Sequence, residues 1–340
     1  MKRLAFVSAL LFSVFTLLLS TNFASAAPTS FARWASATQT ILVSNYSSNY
    51  SAWSTGATKW KNSTNFKVST IVGSHTSNYY AYDVYDSNVD WDGIAKTTHG
   101  NGVITKSVLN FNTYYTSKSN YTASIKAGLA GHEIGHSLGL NHVSVVEIST
   151  NSIMYPYTFK SNGSPARALS PTSADITVVN NLYRKSIGSI LSTSKEDGIY
   201  LTPSWSVYYE DEIALEKAAD LVVRAKVMDN LGSHIDKNKI QPYTTQHILE
   251  IQDVIKGDIK EEKIVLSQMG GSDGVTNVFG EHTTLLTVND EIIVFLKESE
   301  DGSYRPINED DGIYLYKDYK GEFVNIRSKE GFSSLEYKAR

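Results

Sequence analysis

The sequence predicts two parts, an α/β (α+β) domain followed by a smaller all-β domain. In the first part, apolar residues at helical spacing occur beside stretches that alternate apolar and polar residues. The second part consists of short alternating stretches separated by Gly, Asp and Asn turns. The charge also changes: residues 27–190 contain 12 Lys and Arg against 7 Asp and Glu, whereas residues 191–340 contain 17 against 28. A composition change of this size is typical of a domain boundary.

The first part contains two kinds of regular pattern. SNYSAWSTGATKWKN places Trp53, Ala57 and Trp60 at helical spacing, and NFKVSTIVG and GVITKSVLNFN alternate as strands do. LSPTSADITVVNNLY predicts a further helix, with Ser170 as N-cap and Pro171 at the first helical position. These elements predict a mixed α/β domain over residues 27–190.

The second part predicts six short strands, which are ADLVVRAKVM, TTQHILEIQDVIKG, KIVLSQ, DEIIVFL, GIYLYK and FVNI. We expect them to form a small closed or nearly closed β-barrel, or a sandwich, as an accessory domain over residues 206–340. The polar stretch SIGSILSTSKEDG precedes it, and we place a linker at residues 191–205.

The N-terminus has the pattern of an export signal. Lys2 and Arg3 precede a continuous apolar run, and Ala24 and Ala26 give the small-x-small pattern of a cleavage site. This predicts a signal peptide over residues 1–26 and a secreted, extracellular protein, exported as in Gram-positive bacteria. The alternative is a transmembrane anchor, for which the apolar run is at the short end.

The composition is that of a globular protein, with 41% hydrophobic and 19% charged residues among 340. The formal net charge is −4, which gives no indication of a nucleic-acid partner. The chain has no Cys, which excludes disulfides, thiol nucleophiles and zinc sites built from Cys. We expect a monomer with no nucleic-acid partner and, after removal of the signal, no membrane contact.

GHEIGHSLGLNH, residues 131–142, is the most informative stretch. With Ile125 and Leu129, two of its histidines, His132 and His136, share one face of a predicted helix. A single histidine on such a face is usually a core residue. Two of them four residues apart can contact one metal ion, and Glu133 lies beside the same point. This is the HExxH arrangement of two zinc ligands and a general base.

The residues after this pair complete a catalytic pattern. Gly139 can adopt a positive φ and end the helix with a sharp reversal. His142 then approaches the metal from the chain that leaves the helix. Three imidazoles with one open position are typical of a catalytic zinc site rather than a structural one.

HEIGHSLGLNH resembles the zinc signature of the metzincin metallopeptidases. NSIMYPY follows, with Met154 twelve residues after His142, and is similar to the Met-turn of that clan in its matrixin branch. LSPTSADITVVNNLY is similar to the C-terminal helix of matrixins. The resemblance covers roughly residues 30–185.

The resemblance implies a twisted five-stranded mixed sheet with three helices, and a secreted zinc endopeptidase acting on proteins or peptides. His132, His136 and His142 correspond to the zinc ligands and Glu133 to the catalytic base, with Gly139, Met154 and Tyr155 as structural residues near the site. Substrate would pair with an edge strand, for which GIAKT, residues 93–97, is the candidate. The alternative is a non-catalytic extracellular binding or adhesion protein with a vestigial protease domain.

Other features are less specific. Tyr155 or Tyr157 could donate a hydrogen bond to the oxyanion that forms when water attacks the peptide carbonyl, or both could pack against the Met-turn. A calcium loop or a solvated acidic loop could contain Asp83, Asp86, Asp90 and Asp92. His234, His247 and His282 are far apart, so we expect no second metal site. The β domain could dock on the peptidase domain or stay a tethered module, and in both cases we expect residues 27–190 to fold alone.

Overall fold

The computed structural model describes residues 27–143, 152–184, 196–235 and 243–332. The predicted signal peptide, residues 1–26, lies outside these residues. Among the helices of the described residues, none is long and apolar enough to cross a membrane.

The elements up to residue 184 are β1 (Arg33–Trp34), β2 (Thr38–Ser44), α1 (Tyr50–Ser63), β3 (Lys67–Gly73), β4 (Tyr79–Val84), β5 (Trp91–Gly100), β6 (Val103–Asn112), α2 (Thr113–Thr116), α3 (Ala123–Ser137), β7 (Tyr157–Lys160) and α4 (Ser173–Leu182). The elements after it are β8 (Gly198–Tyr208), α5 (Glu212–Ala218), β9 (Leu221–Ile235), β10 (Tyr243–Lys256), β11 (Lys263–Met269), β12 (Gly271–Ser272), β13 (Asn277–Gly280), β14 (Glu291–Glu298), β15 (Tyr304–Pro306), a 3-10 helix (Glu309–Gly312), β16 (Ile313–Lys317) and β17 (Glu322–Asn325).

The first sheet contains the expected five strands in the order β3-β2-β4-β6-β5. The first four are parallel to one another, and β5 is antiparallel to β6. With α1, α3 and α4 as the main helices, this is the mixed α/β arrangement that the sequence predicts. The five strands confirm the fold class of the first part.

Three later strands extend this sheet beyond β5. Residues 198–205 of β8 pair antiparallel with β5, with Ala95 opposite Thr202, and β13 and β12 follow β8 in the sheet. The predicted linker over residues 191–205 is therefore wrong for residues 198–205, which lie within β8. GIAKT is not an edge of the sheet, because β8 pairs with the side of β5 that faces away from β6. The cause is burial: Tyr200, Leu201 and Trp205 join the hydrophobic core of the first part.

Close packing of α1 against α3 places the metal-site helix over the sheet. The indole Nε1 of Trp60 donates a hydrogen bond to the carbonyl of Gly131 at 2.7 Å. A Cβ added at Gly56 would lie 2.7 Å from the main-chain nitrogen of Gly131. The two glycines thus let the helix backbones approach each other, which larger residues would prevent.

The helix α4 begins later than its sequence indicates. Thr172 is the N-cap and forms a capping box with Asp175, instead of the predicted cap at Ser170 with Pro171 at the first helical position. Asp175 also accepts hydrogen bonds from the hydroxyl of Ser152 and the N–H of Ile153. The capping box and these tertiary hydrogen bonds together place the N-cap at Thr172, two residues after the predicted Ser170.

The second sheet closes into a small barrel, as expected. Its order is β15-β11-β10-β9-β14, and β15 also pairs with β14, which completes the ring. The strands β16 and β17 continue outward from β14. The barrel interior is filled by aliphatic residues such as Val223, Leu249, Leu266 and Val294. All six predicted strands are present.

Candidate metal centre

The helix α3 brings the first two histidines to one point. It begins after the N-cap Thr122, whose hydroxyl accepts the N–H of Ile125 at 3.3 Å. His132 and His136 lie on its inner face one turn apart, with no exposed surface. The predicted helix and its apolar face are confirmed.

The three histidines converge through the same ring atom. The Nε2 atoms of His132, His136 and His142 lie 3.0, 3.1 and 3.2 Å from one another. Three nitrogens bound to one tetrahedral zinc at about 2.0–2.1 Å are roughly 3.3 Å apart. The spacing therefore fits a single ion, and these residues form a group that could hold one.

The other ring nitrogen of each histidine faces an oxygen. Nδ1 of His132 is 2.6 Å from the carbonyl of Ile153, and Nδ1 of His136 is 2.8 Å from the carbonyl of Leu140. Nδ1 of His142 is 3.1 Å from a carboxylate oxygen of Glu281. Oxygen partners favour the proton on Nδ1, which leaves the lone pair of Nε2 for a metal. The donor set thus fits a zinc ion.

Gly139 makes the turn that returns His142 to the site. Its φ is +95°, and the N–H of Leu140 donates to the carbonyl of Gly135 at 3.2 Å, as in a Schellman motif. A Cβ at Gly139 would lie only 1.8 Å from the carbonyl oxygen of Ala32. Both the backbone conformation and the contact with Ala32 therefore require glycine, as the sequence predicts.

Met154 lies against the same helix. Its side chain is fully buried, and a Cβ at Gly135 would approach its sulfur. The carbonyl of Met154 accepts the N–H of Val143 at 3.1 Å. The segment that contains Met154 is thereby joined to the chain that contributes His142.

Glu133 points from α3 toward β5. A Cβ at Gly93 would lie 2.6 Å from its Oε1, and the side chain has no exposed surface. Within the described residues neither carboxylate oxygen has a hydrogen-bond partner. Burial raises the pKa of this carboxyl well above its ordinary value, and the charge of Arg167 opposes that rise.

Arg167 is the buried cation of this region, and sequence reasoning missed it. Its guanidinium donates to the carbonyl of Tyr157 and the hydroxyls of Thr158 and Ser204. Ser204 in turn donates to Asp92 at 2.7 Å. Asp92, buried between Ser204 and Tyr121, belongs to a charge network with Arg167 and Glu133 rather than to a solvated loop.

The C-terminal part also reaches the site. Glu281 contacts His142, and the ring of His282 stacks on that of His142 with 5.2 Å between centroids. The sequence separates His282 from the other histidines and led us to expect no second metal site, whereas the fold places it beside His142. His142, Glu281 and His282 form a second group of side chains that could hold a metal. His142 and Glu281 are 139 residues apart, so no local sequence pattern indicates this contact.

The two tyrosines and the acidic loop have other partners. The hydroxyl of Tyr157 donates to Asp311 at 2.5 Å, and Tyr155 is fully buried beside the ring of Tyr157. Packing is thus the observed role of both rings. The aspartates of the predicted acidic loop contact different partners: Asp83 accepts from Ser47, and Asp90 pairs with Arg305. Among the described residues, neither group that could hold a metal contains them, so calcium has no support.

The model of the matrixin family matches residues 53–184, which include the three histidines, Glu133 and Met154. Residues 53–184 are therefore similar to the matrixin metallopeptidases, they contain a histidine triad that could bind zinc, and a β-rich part follows them. No curated protein matches the chain significantly.

Proposed function

We propose that the protein is a secreted zinc-dependent endopeptidase, in which His132, His136 and His142 bind one zinc ion and Glu133 is the general base. The Nε2 atoms of the three histidines lie close together, and Glu133, whose carboxylate is buried, directly follows His132 in the chain. This arrangement supports the proposal most strongly. The match to the matrixin family supports peptide substrates.

The histidine triad, Glu133 and Arg167 have separate roles in the proposed reaction. A zinc ion at the triad would polarise the peptide carbonyl and lower the pKa of water toward about 7. Glu133 accepts the proton of the attacking water and delivers it to the departing amine nitrogen. Arg167 provides the positive charge that opposes the cost of burying the Glu133 carboxylate. Exclusion of water from the site strengthens these interactions.

Burial of the site bears on how substrate enters. His132, Glu133 and His136 have no exposed surface, so a peptide contacts them only after part of the covering chain moves. This burial is also the observation that favours the alternative function, a non-catalytic binding protein with a vestigial protease domain. The complete set of ligands and the retained Glu133 favour the enzyme, because a vestigial site is under no constraint to retain them.

The signal-like N-terminus supports export, and the extracellular space is our proposed location. We propose that the substrates are extracellular proteins or peptides, and that the mature protein acts as a monomer without nucleic-acid or membrane contact. Elution of the purified mature protein in size-exclusion chromatography tests the oligomeric state.

The decisive experiment compares zinc content and cleavage of a random peptide library for the mature protein and two variants. The parent protein should contain one zinc per chain and lose both metal and activity with o-phenanthroline. Glu133→Ala should keep zinc but cleave about 10²- to 10⁴-fold more slowly, because the proton carrier is absent. His136→Ala should lose both.

The Glu291→Gln variant, which changes a surface glutamate far from the triad in sequence, is the matched control and should behave as the parent. A folded, zinc-loaded parent that cleaves no library peptide would support the binding protein. A folded parent without affinity for zinc would contradict the zinc peptidase and would also support the binding protein.

A further inference from the structure

Glu281 contacts the third candidate ligand with both carboxylate oxygens. Oε1 accepts the main-chain N–H of His142 at 2.9 Å, and Oε2 lies 3.1 Å from Nδ1 of the same residue. The Glu281 side chain is only 11% exposed, so water competes little for these contacts. One carboxylate thus accepts a hydrogen bond from the backbone of His142 and lies beside Nδ1 of its ring.

The other two histidines are held by their own neighbourhood. Carbonyl groups of Ile153 and Leu140 face Nδ1 of His132 and His136, and both come from the matrixin-like part. The oxygen that faces Nδ1 of His142 comes from Glu281, after the last residue of the family match. The C-terminal part therefore supplies the third oxygen of an otherwise local arrangement.

Several hydrogen bonds fix the position of the Glu281 backbone. Its N–H donates to the carbonyl of Leu201 in β8 at 2.8 Å, and the carbonyl of His282 accepts the N–H of Asp310 at 3.1 Å. Asp310 also accepts the N–H of Thr284 at 2.7 Å. The carboxylate is thus presented from a segment anchored on β8 and on the 3-10 helix Glu309–Gly312, which is what a positioning role requires.

We infer that Glu281 is a positioning residue for the zinc site, acting through His142. This inference rests on the proposed zinc site. The carboxylate keeps the proton on Nδ1, orients the ring toward the triad and increases the electron density at Nε2. Partners of this kind behind a metal-ligating histidine typically contribute about 10- to 100-fold to metal affinity.

The test is the Kd for zinc, measured by competition with a chromophoric chelator, in the full mature protein. Glu281→Gln retains an oxygen for the main-chain N–H of His142 but removes the negative charge beside Nδ1. Its Kd should rise about 10- to 100-fold, and the visible spectrum of its cobalt form should differ from the parent's. Glu281→Asp, which restores the charge, should recover part of the affinity. Glu291→Gln is the control with the same chemical change elsewhere.

A double-mutant cycle with His142→Ala separates positioning from a purely structural role. If Glu281 acts through His142, then Glu281→Gln should alter the zinc Kd by less than about 2-fold in the His142→Ala background. The same large effect in that background would overturn the inference, because the effect would then come through the fold. An unchanged Kd in the single variant would overturn it too.

The number of zinc ions bound per chain distinguishes a positioning role of Glu281 from a role as a metal ligand. A second equivalent of zinc in the parent, lost in Glu281→Gln, would show that Glu281 is itself a ligand with His142 and His282, and would also overturn the positioning role. A parent that binds no zinc would instead contradict the proposed function on which the inference depends. Melting of each zinc-free variant by circular dichroism confirms that the comparison is between folded proteins.

Discussion

The carboxylate of Glu281 accepts the main-chain N–H of His142 and lies 3.1 Å from Nδ1 of its ring, although 139 residues separate the two. This contact crosses the division that the charge contrast predicts, between residues 27–190 and the acidic remainder of the chain. The strand β8 crosses it as well, since it pairs along the length of β5. The matrixin-like part and the rest of the chain therefore share one sheet and one site.

The first prediction concerns a protein truncated to residues 27–190. It lacks β8, so the outer edge of β5 loses its partner, and Phe31 loses the ring of Tyr200 stacked at 5.2 Å. We expect urea unfolding to show a much less stable fragment, with weaker zinc binding than the full mature protein. This reverses the expectation from the sequence that the fragment folds alone.

A longer fragment, residues 27–210, is the control for this truncation. It restores β8 but not Glu281, so it should recover much of the stability while its zinc affinity stays low. A fragment of residues 27–190 as stable as the full protein would show that the shared sheet contributes little to the fold.

The local part of the site was predictable from the sequence because its causes are local. Helical spacing aligns His132 with His136, and a glycine three residues later is needed where φ is positive. The same holds for β3 and β6, whose alternation is visible in the sequence, whereas the number of five strands was implied by the resemblance to metzincins. Each of these features depends on residues within about one helical turn or one strand.

The contacts made by the C-terminal part could not be predicted in this way. Glu281 and Arg167 are ordinary charged residues in sequence, and only the fold makes one a partner of His142 and the other a neighbour of Glu133. The net charges of the two parts also did not predict which side chains pair between them. The ion pair at 2.7 Å between the two parts joins Asp90 of the basic part to Arg305 of the acidic part.

The second prediction tests why Gly139 is glycine. Alanine there would have to adopt the positive φ and would also contact the carbonyl of Ala32. Gly163 has a similar φ of +81° with no atom within 4 Å of an added Cβ, which makes it a matched control. We expect Gly163→Ala to lower the free energy of unfolding by about 1–2 kcal/mol, and Gly139→Ala by roughly 3 kcal/mol or more, since overpacking adds to the strain. If urea unfolding gave equal losses of unfolding free energy for the two variants, the backbone near Ala32 would have to shift at little energetic cost.

The third prediction concerns Arg167. Replacing it by Met leaves Asp92 and Glu133 buried without their cation, and breaking a buried charge pair of this kind costs about 3–5 kcal/mol. The double variant Arg167→Met/Asp92→Asn should lose less than the sum of the two single losses, because the uncompensated charge of Asp92 is then absent. Chemical unfolding of the zinc-free protein measures both.

Arg224 provides the comparison for a surface arginine. Its pair with Glu291 is exposed, so Arg224→Met should lower stability by less than about 1 kcal/mol. Additive losses at Arg167 and Asp92 would rule out the charge network as the cause.

The fourth prediction concerns Glu309, at the start of the 3-10 helix. Its carboxylate is buried and accepts the N–H of Met269 at 3.3 Å. Burial raises the pKa of Glu309 from its ordinary 4.5 to about 8. A group with a raised pKa favours the folded state in its protonated form. Its contribution to stability is therefore complete below pH 4.5 and is lost as the pH rises toward and through 8.

Glu309→Gln removes this titration while keeping the shape and an oxygen for Met269. The melting temperature of the variant relative to the parent should therefore increase between pH 5 and pH 8.5, by an amount equivalent to a few kcal/mol at most. Glu291→Gln, at an exposed position, should show a difference that does not change with pH in this way. The assignment to Glu309 would be wrong if the parent and Glu309→Gln had parallel melting curves over that range, since another group would then be responsible for any fall in stability.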